Sequence, residues 1–232
     1  MLIAGFPAGA WGTNCYLVAP AAGEECVIID PGHQAAQGVE ETLRKHRLKP
    51  VAVVLTHGHI DHVASVVPVC GAHGVPAWIH PEDQAMLADP LKGISAETAA
   101  FFGGKLQMRE PKQVRSLDDG AELDLAGLKM TVDHTPGHTG GSVMFRAGAE
   151  EGGRLVLSGD TLFAGAIGRT DLPGGDHRSM LTSLRQKVLT LADDTVVLPG
   201  HGPTTTIGRE RVSNPYLLQL GDSAPAAPHR GL

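Results

Sequence analysis

Residues 56–62, with the sequence THGHIDH, constrain this chain more than any other segment. They directly follow residues 51–56 (VAVVLT), an apolar run of the kind that forms a buried strand. In extended backbone, residues two positions apart point to the same side, so His57 and His59 should project together beyond the strand. The glycine between them allows the chain to turn there. The segment therefore predicts a pair of imidazoles at the edge of a sheet.

Two further donors, Asp61 and His62, open a predicted helix over residues 61–70. Side chains in a first turn can reach back over the preceding strand end. Each residue alone has an ordinary explanation, since an aspartate can cap a helix and a histidine can pack in a core. Together, imidazoles and a carboxylate suit zinc, iron or manganese, and the absence of cysteine from the motif disfavours a purely structural zinc site.

Three more candidates lie on predicted loops just beyond strands: His138 in TPGHTGGS, Asp160 in LSGDTLF and His201 in LPGHGPTTT. Each is next to a glycine, which allows the close backbone approach that a crowded site requires. Open α/β sheets place their ligands beyond the carboxyl ends of strands. These positions therefore extend the predicted metal site. The remaining histidines lack a partner at ligand spacing and are not assigned to metal: His33, His46, His73, His80, His134, His177 and His229.

Strand-like and helical patterns alternate along the chain, which predicts an α/β layered sandwich. The predicted strands are residues 26–30, 51–56, 128–133, 142–146, 155–158 and 195–198. The predicted helices are residues 34–47, 61–70, 81–88 and 176–191, the last capped by Asp176. A single domain is expected over residues 1–220, and the Ala- and Pro-rich residues 221–232 are expected to form a flexible tail.

Composition excludes several classes of partner. A net charge of −6 with dispersed Lys and Arg argues against a nucleic-acid-binding face. No apolar run is long enough for a membrane span, and residues 1–20 lack the basic start of a secretory signal. Cys15, Cys26 and Cys70 are an odd, scattered set, which predicts free buried thiols and a reducing, cytoplasmic location.

THGHIDH, followed in order by His138, Asp160 and His201, resembles the His-x-His-x-Asp-His signature of the metallo-β-lactamase superfamily. The resemblance implies an αββα sandwich with two divalent metal ions at one edge of its central sheets, zinc being expected and iron or manganese being alternatives. It further implies a ligand assignment for all seven residues: His57, His59 and His138 hold one ion, Asp61, His62 and His201 hold the other, and Asp160 bridges them. Asp61 would also orient the metal-bound hydroxide and so act in catalysis.

Residues 159–176 and 198–216 are similar to the short bacterial glyoxalase II type, also called hydroxyacylglutathione hydrolase-like proteins. This similarity implies hydrolysis of a small-molecule thioester such as S-lactoylglutathione. The GRTD element at residues 168–171 also recurs in persulfide dioxygenases, which use a single iron ion and oxygen. That activity is the alternative, and it would need only two histidines and one carboxylate.

Two residues outside the ligand set are also assigned hypotheses. Arg169 could bind a carboxylate of the thiol carrier, or it could instead pair with Asp171 and brace its own loop. Asp30, in the segment IIDPG at a strand end, is predicted to hold one of the ligand histidines in orientation.

Overall fold

The computed structural model describes residues 1–101, 108–148 and 153–222. The strands are β1 (Leu2–Ala8), β2 (Thr13–Ala19), β3 (Glu25–Ile29), β4 (Lys49–Val54), β5 (Ala77–Ile79), β6 (Val114–Ser116), β7 (Glu122–Leu125), β8 (Leu128–His134), β9 (Val143–Gly148), β10 (Arg154–Gly159), β11 (Val196–Pro199) and β12 (Thr205–Thr206). The α-helices are α1 (Ala35–His46), α2 (Ile60–Val63), α3 (Val66–His73), α4 (Pro81–Gln84), α5 (Ala96–Phe101), α6 (His177–Ser183), α7 (Ile207–Ser213) and α8 (Pro215–Asp222). Short 3₁₀ turns occupy Ala85–Leu87 and Pro90–Gly93, and a π-helical turn, Leu184–Val188, continues α6.

The strands form two mixed sheets of six strands each, in the orders β1-β2-β3-β4-β5-β6 and β12-β11-β10-β9-β8-β7. In the first sheet β1, β2 and β3 are antiparallel, whereas β3 through β6 run parallel. In the second sheet β7 through β10 are antiparallel, and β11 pairs parallel to β10. The helices come from the connections between these strands.

Apolar side chains project from both faces of each sheet. They form three apolar cores, one between the sheets and one on each outer face under helices, so the molecule has four layers. Adjacent residues of a strand point to opposite faces of its sheet. Ile29 and Phe145 join the core between the two sheets. Ile28 belongs to a second core that includes residues of α1 and α3, and Met144 to a third that includes residues of α6, α7 and α8. The arrangement is an αββα sandwich, which confirms the predicted fold.

The predicted helix over residues 61–70 is wrong as one continuous element, because the structure divides it into α2 and α3. The backbone N–H of Ser65 donates to the carbonyl of Pro31 rather than to the preceding helical turn. Pro68 explains why a break is favoured here. In a continuous helix its missing N–H would remove an interior hydrogen bond, whereas in the first turn of α3 no such bond is needed.

The other predicted elements differ from the structure mainly at their ends. The predicted strand at residues 51–56 is shifted, since β4 begins at Lys49 and ends at Val54. Residues 81–88 form α4 followed by a 3₁₀ turn, and the predicted helix over residues 176–191 consists of α6 and the π-helical turn, which ends at Val188. Asp176 caps α6 as predicted, its carboxylate accepting the N–H of Ser179 at 2.6 Å. The hairpin of β1 and β2 was not predicted from its sequence, which is broken by glycines.

Helix α8 extends to Asp222, so the first two residues of the predicted tail are helical; the rest, including His229, lie outside the described residues. Within the described ranges no helix is long and apolar enough to cross a membrane. Cys15, Cys26 and Cys70 are free and buried, as predicted.

Candidate metal centre

The loops that carry the predicted ligands meet at one edge of the sandwich. Residues 55–59 follow β4, and residues 135–142 join β8 to β9. Asp160 comes directly after β10, and His201 follows β11 by two positions. The structure therefore brings together all seven side chains that the sequence singles out, although they span residues 57–201 of the chain.

Three imidazoles form the first donor group, which consists of His57, His59 and His138. One nitrogen from each lies within 4.8 Å of the other two, and all three residues are buried. Nδ1 of His59 is 2.8 Å from Nε2 of His138, and the rings of His57 and His59 meet nearly edge to face. Three converging nitrogens are the number that a catalytic zinc site commonly takes from the protein.

Asp61, His62 and His201 form the second donor group. Oδ2 of Asp61 lies 3.1 Å from Nε2 of His201 and 3.4 Å from Nε2 of His62. The two imidazole nitrogens are themselves 3.4 Å apart. His62 is fully buried, whereas the side chains of Asp61 and His201 are 20% and 28% exposed, so this group is the more open of the two.

Asp160 lies between the two donor groups and faces both. Its Oδ2 is 3.4 Å from Nε2 of His138 in the first group and 3.6 Å from Nε2 of His201 in the second. Its Oδ1 is 3.4 Å from Nε2 of His62. A carboxylate in this position can contribute an oxygen to each group.

The donor geometry fits metal ions. Ligands held tetrahedrally at about 2.0–2.1 Å from a zinc ion are separated from one another by roughly 3.4 Å, which is the spacing seen around Asp160 and His62. Nε2 of His57, Nε2 of His59 and Oδ1 of Asp160 are buried and have no hydrogen-bond partner among the described residues. Buried polar atoms are normally satisfied, so three such atoms within one cluster indicate that a ligand completes it.

Burial and the neighbouring histidines lower the pKa of His57. Burial likewise lowers the pKa of His59 to about 3, with His138 adding to the effect. Both imidazoles are therefore neutral near pH 7, the form that binds a metal ion.

In the second donor group, the neighbouring carboxylates outweigh the effect of burial on the pKa values of the histidines. Burial disfavours a protonated His62, but Asp61 and Asp160 more than offset this and raise its pKa. The pKa of His201 is also raised, because Asp61 and Asp160 outweigh its partial burial. Burial would raise the pKa of Asp61 and of Asp160, yet the adjacent histidines, with His62 first, lower both. The second group therefore binds protons more readily than the first.

A model of the metallo-β-lactamase superfamily matches residues 8–201, a span that contains all seven donors. The chain belongs to the metallo-β-lactamase superfamily. Membership agrees with the four-layer sandwich and with a cluster of histidine and aspartate donors at its edge. Membership in this superfamily identifies the chain as a member of a metallo-hydrolase family.

Among curated relatives, the chain is 51% identical to the uncharacterized protein Rv2581c of Mycobacterium tuberculosis, covering 95% of this chain and 99% of the relative. It is 35% identical to hydroxyacylglutathione hydrolase GloC of Haemophilus influenzae, covering 91% and 95% of the two chains. Among solved structures, it is similar to BLEG-1 B3 metallo-β-lactamase, with a TM-score of 0.80, 34% identity and coverage of 93% and 99%. It is also similar to TTHA1623 in a di-iron-bound form, with a TM-score of 0.76, 37% identity and coverage of 92% and 100%.

Asp30 orients His62 within this superfamily site, as the sequence predicts. Its Oδ2 lies 2.9 Å from Nδ1 of His62 and also accepts the hydroxyl of Thr56 at 2.6 Å. A carboxylate can only accept, so Nδ1 carries the proton and Nε2 is the nitrogen left to face the donor group. Asp30 adopts a φ of 49°, a left-handed conformation that aspartate tolerates better than most residues.

Two further donors, His138 and Asp61, are oriented by groups that the sequence did not single out. Nδ1 of His138 donates to the backbone carbonyl of Arg169 at 2.7 Å, which leaves Nε2 to face the cluster. The hydroxyl of Thr13, at the start of β2, donates to Oδ2 of Asp61 at 3.0 Å. Loop residues acting through their backbone leave no residue-type signal, which explains why the role of Arg169 toward His138 was not predicted.

The β1–β2 hairpin also supports the loop that bears His201. The Asn14 side chain donates to the carbonyls of Pro199 and Gly202 at 3.0 and 2.9 Å, and the hydroxyl of Tyr16 donates to Pro199 at 2.9 Å. These residues hold the chain on both sides of His201. Asn14 resembles an ordinary turn residue in sequence, because its partners are more than 180 residues away.

A cavity of about 320 Å³ opens over the donors, which form part of its lining. Its other walls are mostly apolar: Trp11, Ile60, Gly93, Ile94, Ser95, Arg169 and Leu172. Trp11, on the turn between β1 and β2, is 48% exposed, an unusual state for so large an apolar side chain. The volume suits a small-molecule substrate.

Arg169 lines the cavity but is engaged with Asp171. Its guanidinium forms two hydrogen bonds of 2.7 Å with the two oxygens of that carboxylate. The structure therefore contains the bracing pair that the sequence analysis named as the alternative. Both side chains are more than 60% exposed, so a substrate carboxylate can reach the same guanidinium.

Proposed function

We propose that this protein is a thioester hydrolase that uses two divalent metal ions, zinc being the expected metal, and that acts on 2-hydroxyacyl thioesters such as S-lactoylglutathione. We further propose that it works in the cytoplasm, on a small molecule rather than on nucleic acid. The observation that carries the proposal is Asp160, which lies between two complete donor groups at the floor of an open cavity. The 35% identity to a hydroxyacylglutathione hydrolase supports the substrate class.

The proposed ligands divide as the two donor groups do, with His57, His59 and His138 for one ion and Asp61, His62 and His201 for the other. Metal ions bound there would supply a coordinated water with a pKa of about 7 and would polarise a carbonyl oxygen. Asp61 contributes a carboxylate that stays ionised, because the neighbouring histidines hold its pKa low despite its burial. We propose that this carboxylate, which is 20% exposed, orients the attacking water.

A thioester suits this site for two reasons. The leaving thiolate derives from a thiol with a pKa near 8.5, so its departure needs little help from a general acid. Trp11, Ile94 and Leu172 give the cavity apolar walls against which an acyl group can pack, and the charged surface is concentrated at the donors and at Arg169. We assign Arg169 to the carboxylates of the thiol carrier, in exchange for its contact with Asp171.

A persulfide dioxygenase would need only one iron site, such as His57, His138 and Asp160. The complete second group, Asp61, His62 and His201, would not be needed to hold that single iron, and its presence favours the two-metal hydrolase. The similarity to a B3 metallo-β-lactamase makes β-lactams a necessary comparison substrate.

The test is a panel assay on purified protein whose metal content has been measured. Loss of thioester absorbance is followed for S-lactoylglutathione, with and without a chelator, beside a β-lactam, a phosphodiester and RNA. Oxygen uptake is followed with glutathione persulfide. We expect chelator-sensitive, oxygen-independent thioester cleavage to dominate. Dominant oxygen uptake on persulfide, with thioester cleavage at background, would replace this proposal with the dioxygenase.

A further inference from the structure

One buried carboxylate links the two loops that carry the first donor group. Asp83 lies in α4 and is 1% exposed. Its Oδ2 accepts the backbone N–H of Gly58 at 2.8 Å and the hydroxyl of Thr139 at 2.6 Å. Its Oδ1 accepts the backbone N–H of Gly141 at 2.8 Å. Burial raises the pKa of Asp83, and the three donors around the carboxylate offset part of the cost of burying its charge.

The partners of Asp83 are the immediate neighbours of the first donor group. Gly58 separates His57 from His59, and Thr139 directly follows His138. Asp83 therefore joins the loop after β4 to the loop between β8 and β9, which lie about 80 positions apart in the chain. It does so through the backbone of the two loops and one hydroxyl, and none of these three hydrogen bonds comes from an imidazole.

Gly58 and Gly141 pack closely against Asp83. A Cβ atom at Gly58 would lie 2.9 Å from the carbonyl oxygen of Asp83, and one at Gly141 would lie 2.7 Å from its Cγ. Real side chains do not approach so closely, so larger residues at these positions would push the loops away from α4. The close approach of Asp83 therefore explains why glycine occupies both positions.

We propose that Asp83 is a positioning residue that sets the separation of His57 and His59 from His138, and so controls the affinity of the first donor group for metal. The inference rests on the proposed two-metal function. The nitrogens of His59 and His138 are only 2.8 Å apart, and they belong to the two loops that Asp83 joins. The second group is held instead by Asp30, Thr13 and the β1–β2 hairpin. Asp83 therefore acts on one group and not on the other.

The decisive variant is Asp83→Asn, which preserves size but places an amide N–H₂ against a backbone N–H. We expect a loss of metal affinity of roughly 10-fold or more at the first group, and close to one ion per chain instead of two after dialysis against a chelator. Thr139→Val removes one of the three hydrogen bonds to Asp83, together with the contact between Thr139 and Ser142, and should show a smaller loss of the same kind. It also keeps the test open if Asp83→Asn fails to fold.

Three comparisons separate positioning from a general loss of stability. Asp133→Asn removes another buried carboxylate, one bonded to Arg146 and Lys187, and should leave the metal content unchanged. The double variant Asp83→Asn/His57→Ala should keep the remaining ion, whereas Asp83→Asn/His201→Ala should lose both. Unchanged affinity in Asp83→Asn, or equal loss from both groups, would overturn the proposal.

The failure of the proposed function has a different signature. If wild-type protein binds a single ion, the two-metal assignment is wrong, and the question becomes whether Asp83→Asn weakens that ion as His57→Ala does. A weakening would keep Asp83 as a positioning residue, and wild-type affinity would remove it. Neither outcome depends on which substrate is cleaved.

Discussion

Nδ1 of His62 lies 2.9 Å from Oδ2 of Asp30, although the two residues are 32 positions apart in the chain. The contact fixes which imidazole nitrogen faces the second donor group. It also connects β3 to α2, because Asp30 follows the strand and His62 belongs to the helix. A single substitution at Asp30 therefore tests how far ligand orientation controls metal binding.

Asp30→Asn should weaken metal binding at the second group by about 10–100-fold, because asparagine keeps one acceptor oxygen whereas Asp30 uses two, Oδ1 for the backbone N–H of Thr56 and Oδ2 for His62. Asparagine tolerates the left-handed backbone found here, so the change tests the side chain rather than the fold. Competition with a chromophoric chelator measures the affinity. Wild-type affinity would show that packing alone orients His62.

Asp160→Ala should cost more bound metal than His201→Ala, because Asp160 faces both donor groups whereas His201 belongs to one. Metal analysis after gel filtration gives the ions per chain for each variant. We expect His201→Ala to keep the ion of the first group and Asp160→Ala to keep less metal in total. Loss of one ion in both variants would remove Asp160 from the bridging role.

The two groups should release metal at different pH. His62 and His201 have raised pKa values and bind protons readily, so protons compete with metal at the second group already in mildly acidic solution. His57 and His59 have lowered pKa values and stay neutral further into acid. Between about pH 8 and pH 5, metal should leave the second group first.

Two variants show which donor group releases its metal ion at which pH. His57→Ala should bind metal at the second group alone, and His201→Ala should bind it at the first group alone. The midpoint of metal release should lie at higher pH for His57→Ala. A higher midpoint for His201→Ala would reverse the assignment.

If a substrate carboxylate replaces Asp171 as the partner of Arg169, substitutions in this pair should change KM. Asp171→Asn should lower the KM for S-lactoylglutathione a few-fold, because an exposed ion pair competes only weakly with substrate and its loss frees the guanidinium. Arg169→Met should raise that KM and leave kcat nearly unchanged. A lactoyl thioester of a neutral thiol is the control, for which neither variant should alter KM. Equal effects on both thioesters would show that Arg169 braces the loop and does not bind the carrier.

Much of the site was visible in the sequence because metal chemistry restricts residue type. THGHIDH places its donors within a few positions of a strand end, and local backbone geometry alone directs His57 and His59 to one side. His138, Asp160 and His201 were found by residue type and by their glycine neighbours. Alternating strand and helix patterns predicted an α/β layered sandwich, and the resemblance to the metallo-β-lactamase superfamily implied the αββα order of layers that the structure confirms.

The tertiary structure decided what depends on contacts between distant segments. Asp83 resembles an ordinary helix residue in sequence, and only folding brings Gly58 and Gly141 against its carboxylate. Asn14 reaches Pro199 across the whole chain. The break between α2 and α3 likewise depends on the carbonyl of Pro31, which attracts the N–H of Ser65. Residue type determined which atoms can bind a metal ion here, whereas long-range hydrogen bonds and close packing determine how those atoms are held.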